Sequence, residues 1–219
     1  MNLQNLCAAV DTMWWGTIIW GMENPFRVSQ KYPDLPYFML GHSMGSLLVR
    51  QYIQMYGNGL SGAVLLGVSS DQSKAVLGCG KRLCRLMAVF RGWHYRSRLI
   101  DGMVLGSYNK KFKQARTRAD WITSDQEHLD AYVSDPLCSF VFTVNAYYSM
   151  FSGMLSMEKK ESIYMIPKTL PILFASGSDD PVGNFGKGVR KIYEQYKAAG
   201  LQDVALRLYD GDRHELLNE

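Results

Sequence analysis

Residues 40–48 read LGHSMGSLL, with a serine at position 43 between Gly41 and Gly45. The run before it, LPYFMLGHS (Leu35–Ser43), is short, apolar and closed by glycine, which reads as a buried strand. The run after it, MGSLLVRQYIQMYGNG, places Leu48, Tyr52, Met55 and Tyr56 at i, i+4, i+7 and i+8, one stripe of a helix that Gly57 and Gly59 stop. Gly41-His42-Ser43-Met44-Gly45 thus fits G-x-S-x-G at a strand-to-helix junction. A sharp turn there strains the serine backbone and lifts its hydroxyl clear of the sheet, and the flanking glycines let strand and helix approach. The helix N-terminus behind Ser43 presents amide N–H groups, so the N–H of Met44 is an expected oxyanion donor.

Outward from this elbow the pattern is α/β. SGAVLLGVS (61–69) is a second continuous apolar run, and apolar strands separated by a helix imply a parallel sheet covered on both faces. Strand signals return at LPILFASGSDD (170–180), followed by a helix at 185–199 with Val189, Ile192, Tyr193 and Tyr196 on one face. DVALRLYDGDRH (203–214) alternates with the period of a strand. Between them, 71–166 has helical patches without a comparable strand; Ser124 and Glu127 form a capping-box pattern there. The expected organisation is a first part of the core at 1–70, a helical insertion at 71–166 and a second part of the core at 167–219.

A serine nucleophile needs a base, and the base needs an orienting acid. The chain has four histidines. His42 lies inside the turn and cannot reach round to Ser43, and His94 and His128 lie in the insertion. His214 follows the last strand in YDGDRHELL, where a loop off the sheet would present it as the base. The acid comes from GSDDPVG: Asp179 and Asp180 are both candidates, and Asp180 is preferred because Pro181-Val182 would turn it across the sheet edge. GNFGKG (183–188) is not a phosphate loop, because Pro181 stands where the first glycine belongs and Gly188 follows Lys187 in place of Ser or Thr.

Composition narrows the class. The 219 residues are 47% hydrophobic and 20% charged, a globular balance, with net charge +4. Twelve basic residues between Lys74 and Arg118 face the single acid Asp101. Within 78–99, Lys81, Arg82, Arg85 and Arg96 interleave with Leu83, Leu86, Met87, Phe90 and Trp93. Such a segment can lie on an anionic membrane or pack its apolar face on the core. No nucleic-acid motif accompanies the charge. The four cysteines lack metal-ligand spacing, and the N-terminus lacks a basic region and a cleavage site, so reduced thiols and a cytoplasmic setting are expected. MWWGTIIWGM (13–22) is about half a membrane span and reads as a strand or interfacial segment. Oligomeric state has no signature.

Three stretches, LPYFMLGHSMGS, ASGSDDPVGNFGKGV and LYDGDRHELLNE, together resemble the α/β-hydrolase group of monoacylglycerol lipases, lysophospholipases and serine aminopeptidase-like hydrolases. DWITSDQEHLDAYVSDPLC (120–138) is similar to the cap region of bacterial members. The resemblance implies Ser43 as nucleophile, Asp180 as acid, His214 as base and 71–166 as a cap over the site. It implies hydrolysis of a carboxylic ester, a monoacyl lipid in particular, without metal or organic cofactor. An aminopeptidase-like or small acyl hydrolase is the alternative. The family pattern also places several strands ahead of the nucleophile strand, one ending in a His-Gly loop that gives a second oxyanion N–H, and a closing helix after the histidine. Met1–Asp34 contains no His-Gly pair. The expectation is therefore a chain truncated at both ends, its nucleophile strand an edge that MWWGTIIW could patch. A catalytically inactive remnant is the further alternative.

Overall fold

Four short apolar runs become strands, and each meets its neighbour in parallel. The computed structural model describes residues 30–138 and 140–219. Within them β1 (Phe38–His42), β2 (Gly62–Leu66), β3 (Ile172–Gly177) and β4 (Val204–Tyr209) form a sheet in the order β1-β2-β3-β4. Phe38 pairs with Gly62, Ala63 with Ile172 and Ile172 with Val204, all in parallel register. β2 and β3 are buried along most of their length, as central strands of a covered sheet require, whereas β4 alternates half-buried and exposed. Phe38 and Leu40 of β1 are 61% and 57% exposed, since among the described residues β1 pairs with β2 alone. The apolar stretch 13–20, expected to patch this edge, lies outside the described residues.

α1 (Met44–Tyr56) returns the chain from β1 to β2, and α7 (Lys187–Ala198) returns it from β3 to β4. Phe174, Leu65, Ile53, Val189, Ile192 and Tyr196 fill the core between these helices and the sheet. The connection from β2 to β3 carries α2 (Lys74–Arg91), α3 (Arg98–Leu105), α4 (Gln126–Ser134), α5 (Val144–Met157) and α6 (Lys160–Tyr164). A second apolar cluster joins Leu77 and Cys84 of α2 to Tyr147, Phe151 and Met154 of α5 and to Leu47 of α1. Side-chain caps start these helices: Ser73 accepts from the N–H of Val76, Ser97 from Ile100 and Thr143 from Ala146.

Three expectations change. α1 is not a one-stripe helix: Met55 and Tyr56 are exposed, while Leu47, Val49, Tyr52 and Ile53 are buried. It lies between the sheet and the helical layer, so two of its faces are covered. The start of α4 is capped by Asp125, which accepts from the N–H of His128 at 2.8 Å, and not by Ser124. The Ser124 N–H instead donates to the Glu219 carboxylate at 3.1 Å. Finally, the basic segment 78–99 is not one continuous amphipathic face: α2 ends at Arg91, so Trp93 and Arg96 lie beyond it, and Arg96 forms an isolated bridge with Thr143.

Candidate active site

Parallel strands put all their carboxyl ends on one side of the sheet, where the connecting loops meet. Ser43 follows β1, Gly67 follows β2, Asp180 lies just beyond β3 and His214 beyond β4. Ser43 has φ 54° and ψ −118°, a strained conformation for a residue with a side chain. Its N–H donates to the Leu66 carbonyl at 3.0 Å, and its carbonyl accepts from the Ser46 hydroxyl at 2.6 Å. Gly41 is sterically required: a Cβ there would sit 2.3 Å from the Gly45 carbonyl oxygen and 2.7 Å from Val49 Cγ2. Gly45 is not, because a Cβ there meets nothing within 4 Å among the described residues. The close approach of strand and helix thus rests on the first glycine of the motif. Met44 opens α1, where a backbone N–H has no acceptor within the helix.

Asp180 is fully buried and His214 is 3% exposed. Asp180 Oδ2 lies 3.0 Å from His214 Nδ1, and Oδ1 accepts from the N–H of Val182 at 2.8 Å. The Ser176 hydroxyl donates to Oδ2 at 3.3 Å. A carboxylate held this way accepts the Nδ1 proton and leaves His214 Nε2 as the free basic nitrogen. Nε2 is buried and has no hydrogen-bond partner among the described residues. Asp179, the other candidate acid, is exposed, and its N–H donates to the Asp212 carbonyl at 2.9 Å. The loop after Asp180 is itself strained, with Asn184 at φ 50° and Phe185 at φ 55°. The Phe185 N–H returns to the Asp180 carbonyl at 2.8 Å.

Sequence reasoning placed His42 in the elbow without a partner and did not single out Gly67 or Tyr108 at the site. His42 does not face Ser43 as a base. Its Nε2 lies 3.0 Å from the His214 carbonyl, which can only accept, so Nε2 carries the proton. Burial first and the neighbouring His214 second lower its pKa, which keeps the ring neutral near pH 7. The two imidazole centroids lie 4.8 Å apart, and the Trp121 ring lies against His214 with centroids 5.1 Å apart. Gly67 makes this possible: at φ 53°, a Cβ would meet His214 Cε1 at 2.9 Å and His42 Nε2 at 3.0 Å. The Tyr108 ring lies tilted against Trp121, with centroids 4.9 Å apart, and its phenol is pushed up to about 12 by burial and by Asp180. DWITSD was legible as part of a resemblance, but nothing local to it points to an indole against the histidine. His94 and His128 lie on exposed parts of the helical layer, apart from this group.

A parallel sheet with a serine elbow, then an acid loop, then a histidine loop, in that chain order, defines the α/β-hydrolase class. Family comparison narrows the class. Residues 26–219 match the family described as serine aminopeptidase, S33, and the chain belongs to it. It is similar to the monoglyceride lipase of Mus musculus, 28% identical over 202 residues that make up 90% of this chain and 57% of the mouse protein. The Rattus norvegicus monoglyceride lipase is 23% identical over the same shares. The chain therefore spans a little over half the length of these curated relatives. A thermostable carboxyl esterase from Bacillus coagulans, solved in complex with glycerol, superposes with a TM-score of 0.86 at 28% identity, covering 95% of this chain and 67% of that one. A soluble variant of the Saccharomyces cerevisiae monoglyceride lipase shares the fold, with a TM-score of 0.67 at 20% identity over 94% of this chain and 64% of that one.

Proposed function

We propose that this chain is a serine hydrolase of carboxylic esters acting on a monoacylglycerol or lysophospholipid through an acyl-enzyme. The observation that carries the reading is the buried Asp180–His214 pair at 3.0 Å on the same sheet end as the strained elbow of Ser43. In this mechanism Ser43 Oγ attacks the ester carbonyl and His214 Nε2 takes its proton. Asp180 keeps the proton on Nδ1 and balances the imidazolium. The Met44 N–H donates to the oxyanion. His214 then protonates the departing alcohol and, in the second half, takes a proton from the water that cleaves the acyl-enzyme. The names of the mouse and rat relatives support an acylglycerol, and the esterase relative supports an ester.

The helical layer at 71–166 acts as the cap over this site in the same reading. Outside it, Val76, Leu86, Val89 and Phe90 of α2 are 58–79% exposed, with Arg82 exposed among them. An exposed apolar stripe among cations suits adsorption to an anionic membrane, where monoacyl lipids are presented. Among the described residues no helix is long and apolar enough to cross a membrane. The free thiols of Cys79, Cys84 and Cys138 accord with a reducing, cytoplasmic setting.

The test is labelling by a fluorophosphonate probe beside Ser43→Ala. Wild-type protein is expected to label and the variant not to. An unlabelled, folded wild type would overturn the reading in favour of an inactive remnant. The family description keeps an aminopeptidase in view; acyl esters are expected to turn over in a panel where aminoacyl amides do not.

A further inference from the structure

The loop that carries His214 is attached to the helical layer as firmly as to the sheet. Arg213 and His214 are adjacent, yet their side chains go to different parts of the molecule. His214 turns to Asp180, while Arg213 Nη1 donates to the carbonyls of Asp120 at 2.6 Å and Thr123 at 2.9 Å. The guanidinium carbon also lies over the Phe112 ring, 4.4 Å from its centroid. The backbone repeats the attachment: the Glu215 N–H donates to the Ile122 carbonyl at 2.8 Å, and the Thr123 hydroxyl donates to the Asn218 carbonyl at 3.2 Å. Between these bonds Trp121 lies against the His214 ring. The sheet side holds the same loop through Asp179 N–H to Asp212 O at 2.9 Å and His42 Nε2 to His214 O at 3.0 Å.

We propose that Arg213 is a positioning residue that ties the catalytic-histidine loop to residues 120–123 of the helical layer, so that the placement of this layer sets the placement of His214 Nε2. The proposal rests on the serine hydrolase reading above. Its chemistry is geometric. One guanidinium nitrogen bridges two carbonyls three residues apart while the guanidinium carbon lies over an aromatic ring, and a lysine ammonium, one atom nearer the backbone and not planar, does not reach both at once. His214 Nε2 has no partner among the described residues, so its alignment with Ser43 depends on where the loop is held. Displacing a reacting group by about 1 Å can cost about 10²-fold in rate.

The experiment compares Arg213→Lys and Arg213→Ala with wild type. Turnover of a short-chain ester, p-nitrophenyl butyrate, and the rate of fluorophosphonate labelling are measured with hydrogen exchange of 119–124 and 212–219. Both variants are expected to lose about 10- to 100-fold in kcat and labelling rate, with KM within about threefold. Exchange is expected to rise in both segments together. Recovery of wild-type kcat by Lys would show that the charge and not the planar fork matters, and would overturn the proposal. So would faster exchange confined to 212–219. If wild type neither labels nor turns over ester but exchange still rises jointly in Arg213→Ala, the hydrolase reading fails and the tie stands.

Discussion

Asp180 illustrates how much one buried side chain decides. Its two oxygens receive the Val182 amide, the Ser176 hydroxyl and the His214 ring. A carboxamide of the same shape cannot accept from Nδ1–H with its NH₂ side, and it favours the other histidine tautomer. Loss of the orienting carboxylate in a Ser-His-Asp site costs about 10⁴ in kcat. Asp180→Asn is therefore expected to fold, since shape and most bonds persist, and to lose about four orders of magnitude in ester turnover in a steady-state assay. Asp179→Asn, exposed and apart from the histidine, is expected to leave turnover within about twofold, in line with surface substitutions. The elbow glycines divide in the same way: position 41 has no room for a methyl group and position 45 does.

At the scale of elements, α2 shows two faces with different tasks. Leu77 and Cys84 are buried, and Leu83 and Met87 pack on the same cluster with Tyr147, Phe151 and Met154 of α5. Further round the helix and at its end, Phe90 is 76% and Val89 79% exposed. Lys81 and Arg85 sit over the Tyr148 ring at 5.0 and 5.5 Å, and Arg85 donates to its hydroxyl at 3.0 Å, which fixes the helix against α5. Because Val89 and Phe90 touch little of the protein, changing them tests the membrane without testing the fold. The double variant Val89→Asp, Phe90→Asp is expected to keep its melting temperature and to lose co-sedimentation with vesicles containing phosphatidylglycerol. Equal sedimentation of the wild type with neutral and anionic vesicles would remove the electrostatic part of the idea.

Over the whole molecule, a second polar group is buried where core and helical layer join. Arg50 of α1 is fully buried; its Nε lies 3.5 Å from the Tyr196 hydroxyl, and Nη1 and Nη2 have no hydrogen-bond partner among the described residues. Near it Glu158, at the end of α5, is pushed up to about 7 by burial, against the pull of Arg50 and with a further push from Asp71. Asp71 itself pairs with Lys191 of α7 at 2.7 Å. The folded state thus holds a proton on Glu158 that the unfolded chain releases near the ordinary value of 4.5. This contribution to stability is complete below 4.5 and is lost as pH rises through about 7. Glu158→Gln keeps the neutral form at every pH. It is expected to raise the melting temperature at about pH 8 and to match wild type at about pH 5, the difference between the two proteins tracking the titration.

What the sequence determined by itself was local. G-x-S-x-G between an apolar run and a helical pattern is legible because backbone strain and the motif's first glycine act within five residues. The four strands are legible because their apolar runs have no other stable place than a covered sheet. The acid was narrowed to two neighbours with Asp180 preferred, and the histidine was reached by chain order. Tertiary structure decided that the preferred Asp180 does meet His214 while Asp179 stays exposed, because that depends on which side of a turn faces β4. It alone decided that α1 is covered on two faces and that Asp125 caps α4, since Ser124 is drawn to Glu219 from 95 positions away. His42, Gly67, Trp121 and Arg213 come together through contacts that span most of the chain. Such contacts leave no periodicity and no spacing, so only the folded sheet, by gathering its strand ends, makes them neighbours.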